Sequence, residues 1–86
     1  MLHHKEEAGV LSLAQLPIGT KGRVVSIDGA SLLARRMMEM GLVPGAPVRV
    51  IKSAPLGDPL EISVHRYRLA LRRAEAQAVT VACQHD

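Results

Sequence analysis

Leu60-Glu61-Ile62-Ser63-Val64-His65-Arg66-Tyr67-Arg68-Leu69-Ala70-Leu71 is the stretch that decides the fold. Leu60, Ile62 and Val64 alternate with Glu61, Ser63 and His65, and Tyr67, Leu69 and Leu71 alternate with Arg68, Ala70 and Arg72. A period of two puts each apolar set on one face of a strand. The runs meet at His65-Arg66, which predicts a tight hairpin without the Asn-Gly or Gly that such turns favour. Upstream, Val48 and Val50 alternate with Arg49 and Ile51 behind Pro47, a residue tolerated at a strand start. Between these runs, Ala54-Pro55-Leu56-Gly57-Asp58-Pro59 reads as a loop, because its two prolines cannot donate to a ladder. Downstream, Arg73-Ala74-Glu75-Ala76 makes one helical turn and Val79 and Val81 mark a last short strand. The first strand is expected over Gly22–Asp28. Its Val24, Val25 and Ile27 alternate imperfectly, which implies a bulge or burial on both faces.

One true helix is expected, over Ser31–Met40. Leu33, Met37 and Met40 recur at i, i+4 and i+7 and are expected to face the sheet. Gly41 follows at the position where a left-handed backbone costs least, Leu42 can fold back on Met37, and Pro44 prevents continuation. Ser12 caps a short turn over Leu13–Leu16 that Pro17 ends. The expected organisation is a flexible leader over residues 1–10, one domain over 11–82 and a flexible tail over 83–86. Five short strands and one inserted helix predict a mainly β fold, a small closed or nearly closed five-stranded barrel. Its inner face takes Val48, Val50, Ile62, Val64, Leu69, Leu71, Val79 and Val81, with Tyr67 also turned inward.

Composition excludes several classes. The chain has 86 residues, 48% of them hydrophobic, with no Trp or Phe and Tyr67 as the one aromatic. Such a chain has enough apolar surface to offset ordering entropy, so disorder is excluded. Cys83 is alone, so no intrachain disulfide framework exists. No apolar run approaches the roughly 20 residues of a membrane span, and His3-His4-Lys5-Glu6-Glu7 is no signal peptide. A small soluble cytoplasmic module is the expectation. The net charge is +3, with basic residues dispersed as Lys21 and Arg23, Arg35 and Arg36, Arg49 and Lys52. Arg66, Arg68, Arg72 and Arg73 form the one cluster in the sequence, read as a solvated face.

No catalytic constellation emerges. Asp28, Glu39, Asp58, Glu61 and Glu75 lie on separate elements, and no nucleophile has an evident base. The glycines around Gly41–Gly45 end a helix, whereas phosphate loops begin one. Neither an enzyme nor a cofactor is expected. Cys83-Gln84-His85 and His3-His4 are metal-ligand types without the paired spacing of a built site, so no specific metal site is expected. The features that suit a partner are apolar and stiff. Met38 lies about 100° around the helix from Met37, Gly41 and Pro44 fix the backbone that presents Leu42 and Val43, and Pro55 and Pro59 stiffen the loop carrying Leu56. Arg35, Met38, Leu42, Val43 and Leu56 are therefore the candidate partner-binding residues, with Arg36 on their rim.

The string Arg36-Met37-Met38-Glu39-Met40-Gly41-Leu42-Val43-Pro44-Gly45, then Ala54–Pro59, then Leu69-Ala70-Leu71-Arg72-Arg73-Ala74-Glu75-Ala76, strongly resembles the FeoA family of small ferrous-iron-transport proteins. The match runs from about Leu11 to Val81 with three motifs in order. The resemblance implies an SH3-like β-barrel and a bacterial cytoplasmic accessory or regulatory protein of ferrous-iron uptake. It also implies a partner, the FeoB membrane transporter with its N-terminal GTP-binding portion, and so a place peripheral to the inner membrane through that partner; the family is not regarded as enzymatic. Self-association is a second use for the same surface. Two alternatives stand beside this reading: an SH3-like module of the iron-dependent-repressor type, and a small basic nucleic-acid-binding barrel, which lacks stacking aromatics if Tyr67 points inward. The hairpin position often held by Gly in this family is Arg66 here. The leader and the Cys83–Asp86 tail lie outside the pattern.

Overall fold

The structure, a computed structural model, describes residues 9–29 and 31–84. Its strands are β1 (Val10–Ser12), β2 (Lys21–Ile27), β3 (Pro47–Ser53), β4 (Leu60–Val64), β5 (Tyr67–Leu71) and β6 (Val79–Cys83). They form one antiparallel sheet in the order β1-β6-β2-β3-β4-β5. A 3-10 turn spans Leu13–Gln15, and the helices are α1 (Leu32–Glu39) and α2 (Arg73–Ala76). The sheet curls into a barrel-like shape around one core, as expected, with six strands in place of five. The additional strand takes in Val10, which the sequence reading left in the leader, and β6 takes in Cys83, which it left in the tail. Both gain order from backbone pairing: Leu11 stands opposite Val81, and the Cys83 N–H donates to the Gly9 carbonyl at 2.5 Å. A three-residue strand held by main-chain bonds shows no side-chain period.

The core follows the period-two pattern. Val48, Val50, Ile62, Val64, Leu71, Val79 and Val81 are buried, and Leu69 is half-buried against them. Each such side chain fully buried contributes about 1.5–3 kcal/mol. Leu13 and Ala14 from the 3-10 turn, Leu16 just after it and Ala76 of α2 join this cluster, as do Val24, Met37, Leu42, Ala46 and Leu60. Two bulges break the alternation. At Val25 the register of β2 against β6 shifts, leaving Val24 buried and Val25 exposed. At Ile51 the register of β3 against β4 shifts, so that Lys52 stands opposite Glu61. The first explains the imperfect pattern of Val24-Val25 as a bulge, not burial on both faces.

Three expectations about facing are corrected. Leu33 and Met40 do not lie in the core; they are 38% and 48% exposed, and α1 buries Ala34 and Met37 instead. At 100° per residue the buried line through Ala34 and Met37 is turned away from Leu33 and Met40, which lie on the far side of Met37 from Ala34. Tyr67 does not point into the barrel but is 64% exposed. It stands opposite the fully buried Val64, but on β5, the last strand in the sheet order, which has a strand on one side only.

Candidate interaction surface

Helix α1 begins at Ser31, whose Oγ accepts from the Ala34 N–H at 3.1 Å. It ends in a full Schellman arrangement: Gly41 N–H donates to the Met38 carbonyl and Leu42 N–H to the Met37 carbonyl, each at 3.0 Å. The turn beyond is tied to β2, with Gly45 N–H donating to the Val24 carbonyl at 2.7 Å and Val24 N–H to the Ala46 carbonyl at 2.9 Å. This stiff turn sorts the candidate residues. Leu42 is fully buried against the core that holds Met37, so it cannot meet a partner. That corrects its place in the candidate set: the Schellman geometry folds it under the helix. Arg35, Met38 and Val43 are exposed.

Leu56 is also exposed, and completely so. Its φ and ψ are 78° and 3°, and Gly57 N–H donates to the Ala54 carbonyl at 2.8 Å. These are the geometry and closing bond of a type II turn with Leu56 at the position that favours Gly or Asn. A leucine there is strained by about 1–2 kcal/mol and packs on nothing. The turn is pinned from behind by Arg73, whose Nε donates to the Gly57 carbonyl at 3.0 Å and Nη1 to the Ala14 carbonyl at 2.8 Å. The Arg73 N–H donates to Asp58 Oδ1 at 2.9 Å. Leu56 is not part of the Met38 patch. Val43 precedes the start of β3 and Leu56 follows its end, so the strand separates them by roughly 20 Å.

The structure adds residues that sequence reasoning missed. Between α1 and the edge strand β5 runs a largely apolar groove: Leu33, Met37, Met40, Leu69 and Leu71 line one hollow of about 380 Å³, with Arg36, Arg68 and Glu75 also bordering it. Met40 and Leu69 also line a second hollow of about 320 Å³ that reaches Tyr67 and Glu39. Their signal in the sequence is the helical stripe of Leu33, Met37 and Met40, whose spacing by itself reads as a core face. At the end of the groove, Gly41 lies against the His65 ring, joining the helix end to the hairpin. His65 carries the positive φ of that hairpin, 54°, so the strain falls there and not on Arg66.

Among the described residues no group of three His, Cys, Asp or Glu is placed to hold a metal ion. His3, His4 and His85 lie outside the described residues. No helix among the described residues is long and apolar enough to cross a membrane.

The FeoA domain family model matches residues 11–83. An Fe(2+) transport protein A/Fe(2+) transporter FeoB fusion protein of Porphyromonas gingivalis is 32% identical over 71 residues, 83% of this chain. The chain spans 8% of that relative's length. The solution structure of the FeoA protein from Chlorobium tepidum superposes with a TM-score of 0.83 at 37% identity, covering 87% of this chain and 71% of that one. FeoA from Stenotrophomonas maltophilia, described as a procaryotic SH3 domain protein and solved with zinc, gives 0.75 at 37% identity, covering 83% and 88%.

Proposed function

The chain belongs to the FeoA family, and from that premise we propose that it is an accessory protein of bacterial ferrous-iron uptake that binds the cytoplasmic GTPase portion of a FeoB-type transporter. The observation that carries this reading is the Porphyromonas gingivalis relative, in which a FeoA portion and FeoB share one chain. Covalent linkage holds two modules at a high effective concentration, and it is useful where the separate proteins must associate. The protein contributes contact, not catalysis, and the iron passes through the transporter as cargo.

The apolar residues around α1 supply the contact. Met38 and Val43 stand on a helix end and a turn that are already fixed by hydrogen bonds, so little ordering entropy is left to lose on binding. The groove on the other flank of α1, from Leu33 to Tyr67, adds a second apolar area, and Arg35 and Arg36 supply charge of the kind found at the rim of a protein interface. Leu56 supports a second point of contact at the far end of β3. A strained and uncovered leucine costs stability, and such outliers collect where a partner uses them.

The test is a pull-down on the transporter's soluble GTPase domain with Met38→Asp and Leu56→Asp variants, with thermal melts on the same samples. Reduced binding at unchanged stability is expected for Met38→Asp and, to a lesser extent, for Leu56→Asp. Undiminished binding by both folded variants contradicts this surface.

A further inference from the structure

The register gathers charge that the sequence scatters. Lys21 of β2 stands opposite Arg49 of β3, Arg49 opposite Ser63 of β4, and Ser63 opposite Arg68 of β5. Directly opposed residues share a face. Gly22, Val48 and Val64, which flank this row along their strands, are buried, so the row lies on the outside of the barrel. Arg23 extends the same face on β2, opposite Pro47 and Ala82. The bulge at Ile51 adds Lys52, which strict alternation would have turned inward. Among the described residues, Arg23, Arg49, Lys52 and Arg68 thus share this face with Glu61, whose carboxylate sits 2.8 Å from Arg68 and 3.8 Å from Lys52. Lys21, Arg49, Ser63, His65 and Arg68 line a shallow hollow of about 380 Å³ at its centre.

The chemistry of the face narrows its occupant. Protein interfaces place apolar and aromatic residues at the centre and charge at the rim; here the cations hold the centre. Single-stranded nucleic acid is held by stacking on aromatics, and Tyr67 lies in the groove beside Met40, away from this face. A cationic sheet face without apolar anchors fits an array of phosphates. We propose that the outer face of β2–β5 docks on an anionic phospholipid bilayer, with headgroup phosphates meeting Arg49 and the flanking Lys52 and Arg68. The inference rests on the reading that the chain serves a membrane transporter: one face lies on the bilayer that holds the partner, and the apolar groove remains open to the partner itself.

Co-sedimentation with vesicles tests it, using phosphatidylcholine alone and an equal mixture of phosphatidylcholine and phosphatidylglycerol. Binding is expected to the anionic vesicles only, and to fall as salt is raised. The pair Arg49→Gln and Lys52→Gln should weaken it roughly five-fold per charge, about 25-fold together. Both residues are exposed, and thermal melts check that the variant is folded. The control pair Arg35→Gln and Arg36→Gln removes the same charge from α1 and should leave binding within about two-fold, because these residues lie off the face. Equal binding to neutral vesicles, an equal loss from the control pair, or tighter binding to double-stranded DNA than to anionic vesicles at the same salt overturns the proposal. The vesicle assay contains no transporter and the pull-down no lipid, so each reading can fail alone.

Discussion

Replacing Gly41 by Ala probes the joint between α1 and the β4–β5 hairpin. Gly41 has a φ of 106°, where a side chain costs about 1–2 kcal/mol. A Cβ there would stand 2.8 Å from His65 Cδ2 and 3.7 Å from Val64 Cγ2. The first distance is too short to persist, and since His65 is exposed its ring can swing aside at a cost of about 0.5–1.5 kcal/mol. The two terms together give roughly 1.5–3.5 kcal/mol. Gly45 supplies the reference, because its φ is 93° and a Cβ would meet nothing within 4 Å. Gly45→Ala therefore carries the backbone term alone, about 1–2 kcal/mol. Urea unfolding followed by circular dichroism measures both. The difference should vanish in a His65→Gly background, since contacting residues couple in a double-mutant cycle. Equal costs for the two alanine variants, unchanged by His65→Gly, would refute the packing of the hairpin tip on the helix end.

Leu42→Ala should cost roughly 2–5 kcal/mol, read as a fall in the urea midpoint; a near-neutral result would return Leu42 to the surface. Leu56→Gly should raise stability by about 0.5–1 kcal/mol, the relief of left-handed strain less the entropy of glycine, and it should also lower affinity for the transporter domain. A loss of stability would show that Leu56 packs on the barrel. Arg73→Ala should cost about 1.5–3 kcal/mol through its charged hydrogen bonds to the Gly57 and Ala14 carbonyls. Hydrogen exchange at the Gly57 amide should quicken in this variant, and unchanged exchange would mean that the turn holds itself.

The strands and the helix end were legible because their signals are local. Val48 through Val81 alternate, and Gly41 and Leu42 mark a helix stop wherever they occur after an apolar stripe. What was missed depends on how an element sits in the fold. Leu33 and Met40 share the stripe of Met37, yet the helix buries the line through Ala34 and Met37, which is turned away from them. Tyr67 continues the alternation of Leu69 and Leu71, but it stands on the edge strand β5, which has a neighbouring strand on one side only. Leu56 could have packed on the barrel; its exposure follows from the type II turn, which aims it outward. The cationic face was invisible because Lys21, Arg49 and Arg68 meet only through strand pairing, and Lys52 joins them through a bulge that no local pattern announces. Val10–Ser12 pairs through its backbone and left no trace in its side chains.

The central claim, that this FeoA-family chain binds the transporter through its apolar helix face, is tested most directly by titrating the soluble GTPase domain of a FeoB-type transporter with the folded chain in a calorimeter. The account predicts saturable binding that Met38→Asp weakens about ten-fold or more, the loss of one well-placed interface residue. Absence of binding by the folded wild-type chain, or binding that Met38→Asp leaves untouched, would contradict it.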